Sequence, residues 1–279
     1  MHMKPHLTAS QWIFGREPLS DTVERLERLG YDGIELAGEP DGFSAKDLSD
    51  LRSRELEVPS ICGLYSPDRD LSHPDSSVRT QAQDYVVRCA ELMSSFGSGV
   101  VIVVPTAVGR TSPISSRQSE LGNAAESLAR IAARISGSNV RLVVEALNRY
   151  ETYLVNTVTA AHSLAEATGS QDVGVMLDTF HMSIEEPDPV PTLSTIKDRL
   201  WHVQLADSNR RPPGQGHLDF RAIFAALEQM NYAGSVAMEY LPAAGNPYDV
   251  RSLGVSAREK DANCRAAIAV VRQFLGAAN

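Results

Sequence analysis

Arg141-Leu142-Val143-Val144-Glu145-Ala146, an amphipathic run over 157–167, and then Val173-Gly174-Val175-Met176-Leu177-Asp178 spell a strand, a helix and a second strand. Both strand candidates are short and mostly apolar rather than alternating, as strands covered on both faces are. A helix between two such strands makes the pair parallel, since a parallel neighbour is reached by a crossover and not by a hairpin. Each strand also runs into a carboxylate, Glu145 in the first and Asp178 in the second.

The same unit recurs outward in both directions. Strands are predicted at 6–12, 33–37, 58–64, 100–105, 141–146, 173–178, 201–205 and 235–240. Apolar residues at helical spacing predict helices at 19–29, 76–96, 118–135, 157–167, 190–199, 220–230 and 258–275. Eight such units in 279 residues predict an α/β fold, a single (β/α)8 TIM barrel that occupies 1–279 as one domain. Gly30, Gly169 and the Asn231-Tyr232-Ala233-Gly234 turn stand where helices should end. The Pro-rich segments 186–191 and 210–216 read as loops, because proline lacks the donor that a helix or strand interior needs. A doubly wound sheet would show a glycine-rich phosphate turn after its first strand, and neither G-x-G-x-x-G nor G-x-x-x-x-G-K-[ST] occurs. A G-x-S-x-G elbow and an H-E-x-x-H helix are missing too, which removes the support for a serine hydrolase or a zincin.

Composition narrows the function further. Lys and Arg number 26 against 35 Asp and Glu, a formal charge of -9 that repels polyanions, so nucleic acid is not expected as a partner. No stretch approaches the roughly 18 apolar residues of a membrane span, and Met1 to Lys4 carries no apolar signal core. The expectation is a cytoplasmic protein without a membrane partner. Cys62, Cys89 and Cys264 are widely spaced with no C-x-x-C, and read as buried free thiols.

In such a barrel the residues at the carboxyl ends of the strands converge on one face. Strand five delivers Glu145, strand six Asp178, and Val236-Ala237-Met238 leads into Glu239. Strand seven reads Trp201-His202-Val203-Gln204-Leu205, with His202 and Gln204 on one side of the pleat and Val203 on the other. Three carboxylates at an apolar mouth repel one another, so either each is separately solvated or salt-bridged, or they share a cation. An all-oxygen set of Glu145, Asp178, Gln204 and Glu239 suits a hard divalent ion, Mn2+ first, with Mg2+ or Co2+ as substitutes.

Four separate motifs resemble the xylose isomerase-like barrels and, within them, the ketose 3-epimerases and keto-sugar-acid epimerases. Glu145-Ala-Leu-Asn-Arg-Tyr-Glu151 is similar to E-x-x-N-R-[FY]-E, and Leu177-Asp178-Thr-Phe-His181-Met-Ser-Ile-Glu-Glu186 to L-D-T-F-H-M-N-I-E-E. Trp201-His202-Val-Gln204-Leu-Ala-Asp207-Ser-Asn-Arg210, followed by Pro-Gly-Gln-Gly-His217, is similar to H-x-H-x-x-[DE]-x-N-R before a P-G-x-G turn, and Ala237-Met238-Glu239 fits the last strand. The resemblance is dense from about residue 140 to 245 and thin before it, where Leu71-Ser-His73-Pro74 fits.

The resemblance implies that Glu145, Asp178 and Glu239 bind metal, that Gln204 takes the fourth position, and that Glu145 and Glu239 act as the acid/base pair. It puts Glu151, His181 and Arg210 against substrate oxygens and implies a homodimer or homotetramer. Most epimerases of this group carry His where this chain has Gln204, whereas hydroxypyruvate isomerases carry Gln in a similar H-x-Q-x-A-D context. The implied reaction is therefore 3-epimerisation of a ketose or keto-sugar acid through a metal-stabilised enediolate, with aldose-ketose isomerisation as the alternative. Arg211 beside Arg210 suits a sugar acid. Trp12 and Tyr65 read as core or as pocket wall, and His202 as a support rather than a ligand. Glu35, ending strand two, either reaches the pocket or holds a neighbouring loop, and His217 carries less weight still. Two rivals remain: a barrel endonuclease, which would need more His ligands than a chain with seven His supplies, and a non-catalytic sugar-binding protein.

Overall fold

Val173–Asp178 is buried at all six positions, the burial that its unbroken apolar sequence requires of a strand with the barrel interior on one face and helices on the other. The computed structural model describes residues 5–242 and 254–276. Among them eight strands, β1 (His6–Ser10), β2 (Gly33–Ala37), β3 (Glu57–Cys62), β4 (Gly99–Val103), β5 (Val140–Val144), β6 (Val173–Asp178), β7 (Leu200–Leu205) and β8 (Ser235–Met238), form a closed parallel barrel in chain order, with β8 pairing back to β1. The predicted (β/α)8 barrel is the fold observed.

Helices α1 (Leu19–Leu29), α2 (Ala45–Arg52), α3 (Ser76–Ser94), α4 (Arg117–Arg134), α5 (Val158–Ala167), α6 (Thr179–Glu185), α7 (Pro189–Ile196), α8 (Phe220–Gln229) and α9 (Ala257–Gly276) connect and follow the strands. Alternate strand residues divide the core in two. Val101, Val103, Leu142 and Val144 pack outward with the helices, while Val100, Ile102, Val143, Met176 and Cys62 form a second cluster with Trp201 packed against it. Gly30 and Asn231 take left-handed conformations at φ 76 and 54, ending α1 and α8 as expected, and Gly169 does so at φ 68 after α5.

Several expectations need correction. The first strand stops at Ser10, and Gln11–Phe14 forms a 3-10 turn, so Trp12 lies at the barrel mouth. Segment 186–191 is not wholly a loop: α7 begins at Pro189, with the Asp188 side chain accepting from the Val190 N–H. Proline is tolerated there because the first-turn N–H groups have no intrahelical partner to lose. Two helices were not predicted. Helix α2 is short and mostly polar, but Ser44 and Asp47 form a reciprocal capping box that marks its start. Helix α6 begins inside the L-D-T-F-H motif, capped by Asp178.

Candidate active site

Strand parity places the site. The inward face that carries Val143 on β5 and Met176 on β6 carries Glu145 and Asp178 two residues further on, and β7 adds His202 and Gln204. Glu239 follows β8 directly. All are buried, Glu145 and Glu239 at 5% exposure, Asp178 at 3% and Gln204 at 0%. Glu145, Asp178 and His181 each offer a ligand-type atom within 4.8 Å of the others, and Glu35, Cys62 and Glu239 do the same. Gln204 ties into the second group by donating from Nε2 to Glu35 Oε1 at 2.7 Å and to Glu239 Oε1 at 3.2 Å. Arg210 lies between both groups: Nη2 donates to Glu239 Oε2 at 3.1 Å, while Nη1 lies 3.4 Å from His181 Nε2 without a hydrogen bond, since both nitrogens carry hydrogen. The seven predicted site residues, Glu151 included at 3.5 Å from Arg210, therefore form one connected cluster.

The loops are built to hold these groups. Asp178 Oδ1 accepts the N–H groups of Phe180 at 2.7 Å and His181 at 3.3 Å, so the ligand candidate is also the cap of α6. His181 Nδ1 accepts the Asn148 N–H at 3.2 Å, which places the proton of the neutral ring on Nε2, toward Glu145 and Asp178. Burial, with the Arg210 charge adding to it, lowers the His181 pKa to about 3, so the ring is a neutral donor. Asn148 also donates to Glu151 at 3.0 Å. Arg210 has the left-handed φ of 58 that side chains rarely adopt. Its loop is pinned by Asp207, which accepts from the N–H groups of Ser208, Gly214 and Leu218, and its own carbonyl accepts from Leu241 at 2.6 Å.

Electrostatics argue for a cation. Burial pushes Glu145 and Glu239 well above the usual carboxylate range, neighbouring carboxylates add to the rise, and Arg210 opposes it. Asp178 is raised as well, by burial. Two buried oxygens, Asp178 Oδ2 and Gln204 Oε1, have no hydrogen-bond partner, and these residues pair directly across β6 and β7. An unpartnered buried acceptor is costly, and an oxygen-only donor set with spare lone pairs fits a hard divalent ion.

A cavity of about 400 Å³ opens above these groups, lined by Glu145, Glu151, His181, Arg210 and Glu239, with Trp12, Tyr65 and Leu147 among its walls. Asp178 and Gln204 are not in that lining. Trp12 and Tyr65 are therefore wall residues. Tyr65 is fixed by donating to the Ile102 carbonyl at 3.0 Å, and Arg210 lies 5.1 Å from the Trp12 ring centre. Arg211 does not join the pocket; its Nε donates to Gln215 Oε1 at 3.1 Å, and His217 is exposed on the same loop. Sequence reasoning missed three residues here. Cys62 lies with Sγ 3.7 Å from Glu239 Oε1, and its strand-end position was the available signal. Asn148 stood inside a quoted motif without a role, and Arg69, on a loop with no pattern, lines the cavity.

A closed barrel whose strand ends gather buried carboxylates around a sugar-sized cavity defines an enzyme that works by acid/base chemistry at its carboxyl-terminal face. Residues 23–261 match the family described as Xylose isomerase-like TIM barrel, and this chain belongs to that family. It is 28% identical over 270 residues to the D-psicose 3-epimerase of Agrobacterium fabrum, covering 91% of this chain and 92% of that one. It is 31% identical over 245 residues to the 3-dehydro-D-guloside 4-epimerase of Escherichia coli, covering 84% and 91%. A crystal structure of D-psicose 3-epimerase in the presence of D-fructose superposes with a TM-score of 0.88 at 25% identity, covering 97% of this chain and 99% of that chain. By family and relatives, the chain is an isomerase of the epimerase class.

Proposed function

We propose that this chain is a metal-dependent sugar epimerase that inverts the carbinol carbon beside the carbonyl of a ketose or keto-sugar acid, carbon 3 of a 2-ketose in the leading case. The observation that carries the reading is the pair of buried carboxyls, Glu145 and Glu239, joined through Asp178, Gln204 and Arg210 beneath one cavity. The 3-epimerases and the 4-epimerase among its relatives share this chemistry, since each name places inversion at a carbon next to a keto group.

Glu145, Asp178, Gln204 and Glu239 would hold a divalent ion, Mn2+ first, with Mg2+ or Co2+ as substitutes, and that ion would supply Lewis-acid polarisation of a carbonyl and offset the carboxylate charge. Glu145 and Glu239 remove and return the proton on opposite sides of the planar carbon. The neutral His181 donates from Nε2 to a substrate oxygen, Arg210 donates its guanidinium, and Glu151, held by Asn148, accepts from a hydroxyl. Trp12, Tyr65 and Leu147 keep that carbon away from bulk water.

Incubation of the Mn2+-loaded protein with ketoses in deuterated water tests this. One deuterium with inversion at the carbon beside the carbonyl is the expected result, and no exchange with any ketose or keto acid overturns it. Movement of the carbonyl instead would establish the aldose-ketose reading that Gln204 favours. A cytoplasmic setting is supported by three buried cysteines, all free. We also propose a homodimer or homotetramer, testable by sedimentation.

A further inference from the structure

An amide can present either end to a site, and the surroundings of Gln204 tell its ends apart. Nε2 faces Glu35 Oε1 at 2.7 Å and Glu239 Oε1 at 3.2 Å. With the amide turned over, its oxygen would meet Glu35 Oε1, a carboxylate oxygen with no hydrogen to give. Of the two carboxylates, Glu239 is itself assigned to the ion, which leaves Glu35 as the independent reference. Glu35 is fully buried and is itself held: Ser60 Oγ donates to its Oε2 at 2.8 Å, and His202 Nε2 lies 2.7 Å from the same oxygen. His202 Nδ1 in turn lies 2.8 Å from Ser235 Oγ. This line of contacts crosses the barrel interior from β8 through β7 to β2, returns to Gln204, and ends at Gln204 Oε1, which has no partner.

Resting on the metal-dependent reading above, we propose that Glu35 is a positioning residue for the metal centre. It holds the Gln204 amide so that the oxygen, the end with a lone pair to give, is offered to the divalent ion, while Ser60 and His202 hold Glu35 in place. The amide nitrogen has no lone pair free for a metal, so an amide released to rotate is a poorer ligand even when Gln204 is intact. Contacts of this kind tune metal affinity through the ligand they orient.

The test is a two-residue cycle read as Mn2+ affinity, from the electron paramagnetic resonance signal of free Mn2+ over the metal-stripped full chain. Glu35→Met keeps the side-chain length and removes the acceptor. It is expected to weaken Mn2+ binding by about tenfold to a hundredfold when Gln204 is present, and by roughly twofold or less in a Gln204→Ala background. Equal losses in both backgrounds, or no loss with Gln204 present, overturn the proposal. Should Glu35→Met fail to fold, Ser60→Ala takes its place in the cycle, with a smaller loss that again vanishes when Gln204 is Ala. Wild-type protein and Asp178→Asn are measured alongside. Tight binding by the first and its loss in the second uphold the metal centre itself, so failure of the Glu35 proposal is then separate. No Mn2+ binding by the wild type overturns both.

Discussion

The Arg210 guanidinium pairs with Glu239 Oε2 at 3.1 Å, within 5.1 Å of the Trp12 ring centre and 4.8 Å of the Phe180 ring centre. The pairing places a fixed positive charge beside one of the two carboxyls assigned to proton transfer. Arg210 sits on its loop with a left-handed backbone, φ 58.

Removing that charge should cost catalysis directly. Arg210→Ala is expected to lower kcat/KM for a ketose by about a hundredfold, the equivalent of roughly 2.7 kcal/mol, the range of a charge-assisted hydrogen bond to substrate. Arg210→Lys keeps the charge but not the planar fork, and should lose less. Steady-state kinetics decide, and unchanged values for Arg210→Ala would place the residue outside the reaction.

The two carboxyls should be separable by isotope. Glu145→Gln and Glu239→Gln are each expected to reduce epimerisation by about 10²- to 10⁴-fold. Each variant retains one base, so each should still exchange the proton of one epimer with deuterated water without inverting it, and the two variants should choose opposite epimers. Nuclear magnetic resonance of the recovered sugars shows this. Full inversion by either variant would rule out a two-base mechanism.

Metal should stabilise as well as activate. An ion that binds the folded chain alone adds about 2.7 kcal/mol at a hundred times its Kd, which for a chain of this size raises Tm by roughly 4–5 °C. Chelation should abolish activity and this rise together, and Mn2+ should restore both. Asp178→Asn, in which Oδ1 can still cap α6, is expected to remove most of the rise seen by scanning calorimetry.

Acid should loosen the loops that frame the pocket. Glu120 is fully buried and accepts from Arg110 at 2.5 Å, from Tyr153, and from the N–H groups of Ile114 and Ser115. Arg110 also binds Asp70 at 2.7 Å, so the network ties together the loops after β3, β4 and β5. Burial alone would raise Glu120, but the hydrogen bonds from Tyr153 and Arg110 overcome it and hold the pKa at about 2, against 4.5. A carboxyl depressed in the folded state stabilises above its unfolded value, and that contribution drains away as pH falls from 4.5 toward 2. Urea midpoints should therefore decline over that window more steeply in the wild type than in Glu120→Gln. Glu120→Ala, which strands Arg110, is expected to cost about 3 kcal/mol at neutral pH. Equal acid slopes would contradict the assignment.

The barrel and most of its contents were legible in the amino-acid order because both depend on short-range repetition. Unbroken runs such as Val173–Asp178 mark strands buried on both faces, and the strand-end position of Glu145, Asp178 and Glu239 puts them at one mouth of any closed barrel. Gln204 falls on the inward face by parity alone. Pro189 was misread because proline forbids a helix interior but not a helix start, and the deciding cap at Asp188 is a matter of local geometry.

What the chain order could not decide is how side chains far apart in sequence meet. Glu35 and Gln204 are 169 positions apart, and nothing local to either says that one orients the other's amide. Cys62 comes against Glu239 across 177 positions, and Arg211 turns to Gln215 while its neighbour Arg210 turns inward. Hydrogen bonds and ion pairs act over about 3 Å, so these partnerships exist only after the barrel has closed and chosen them.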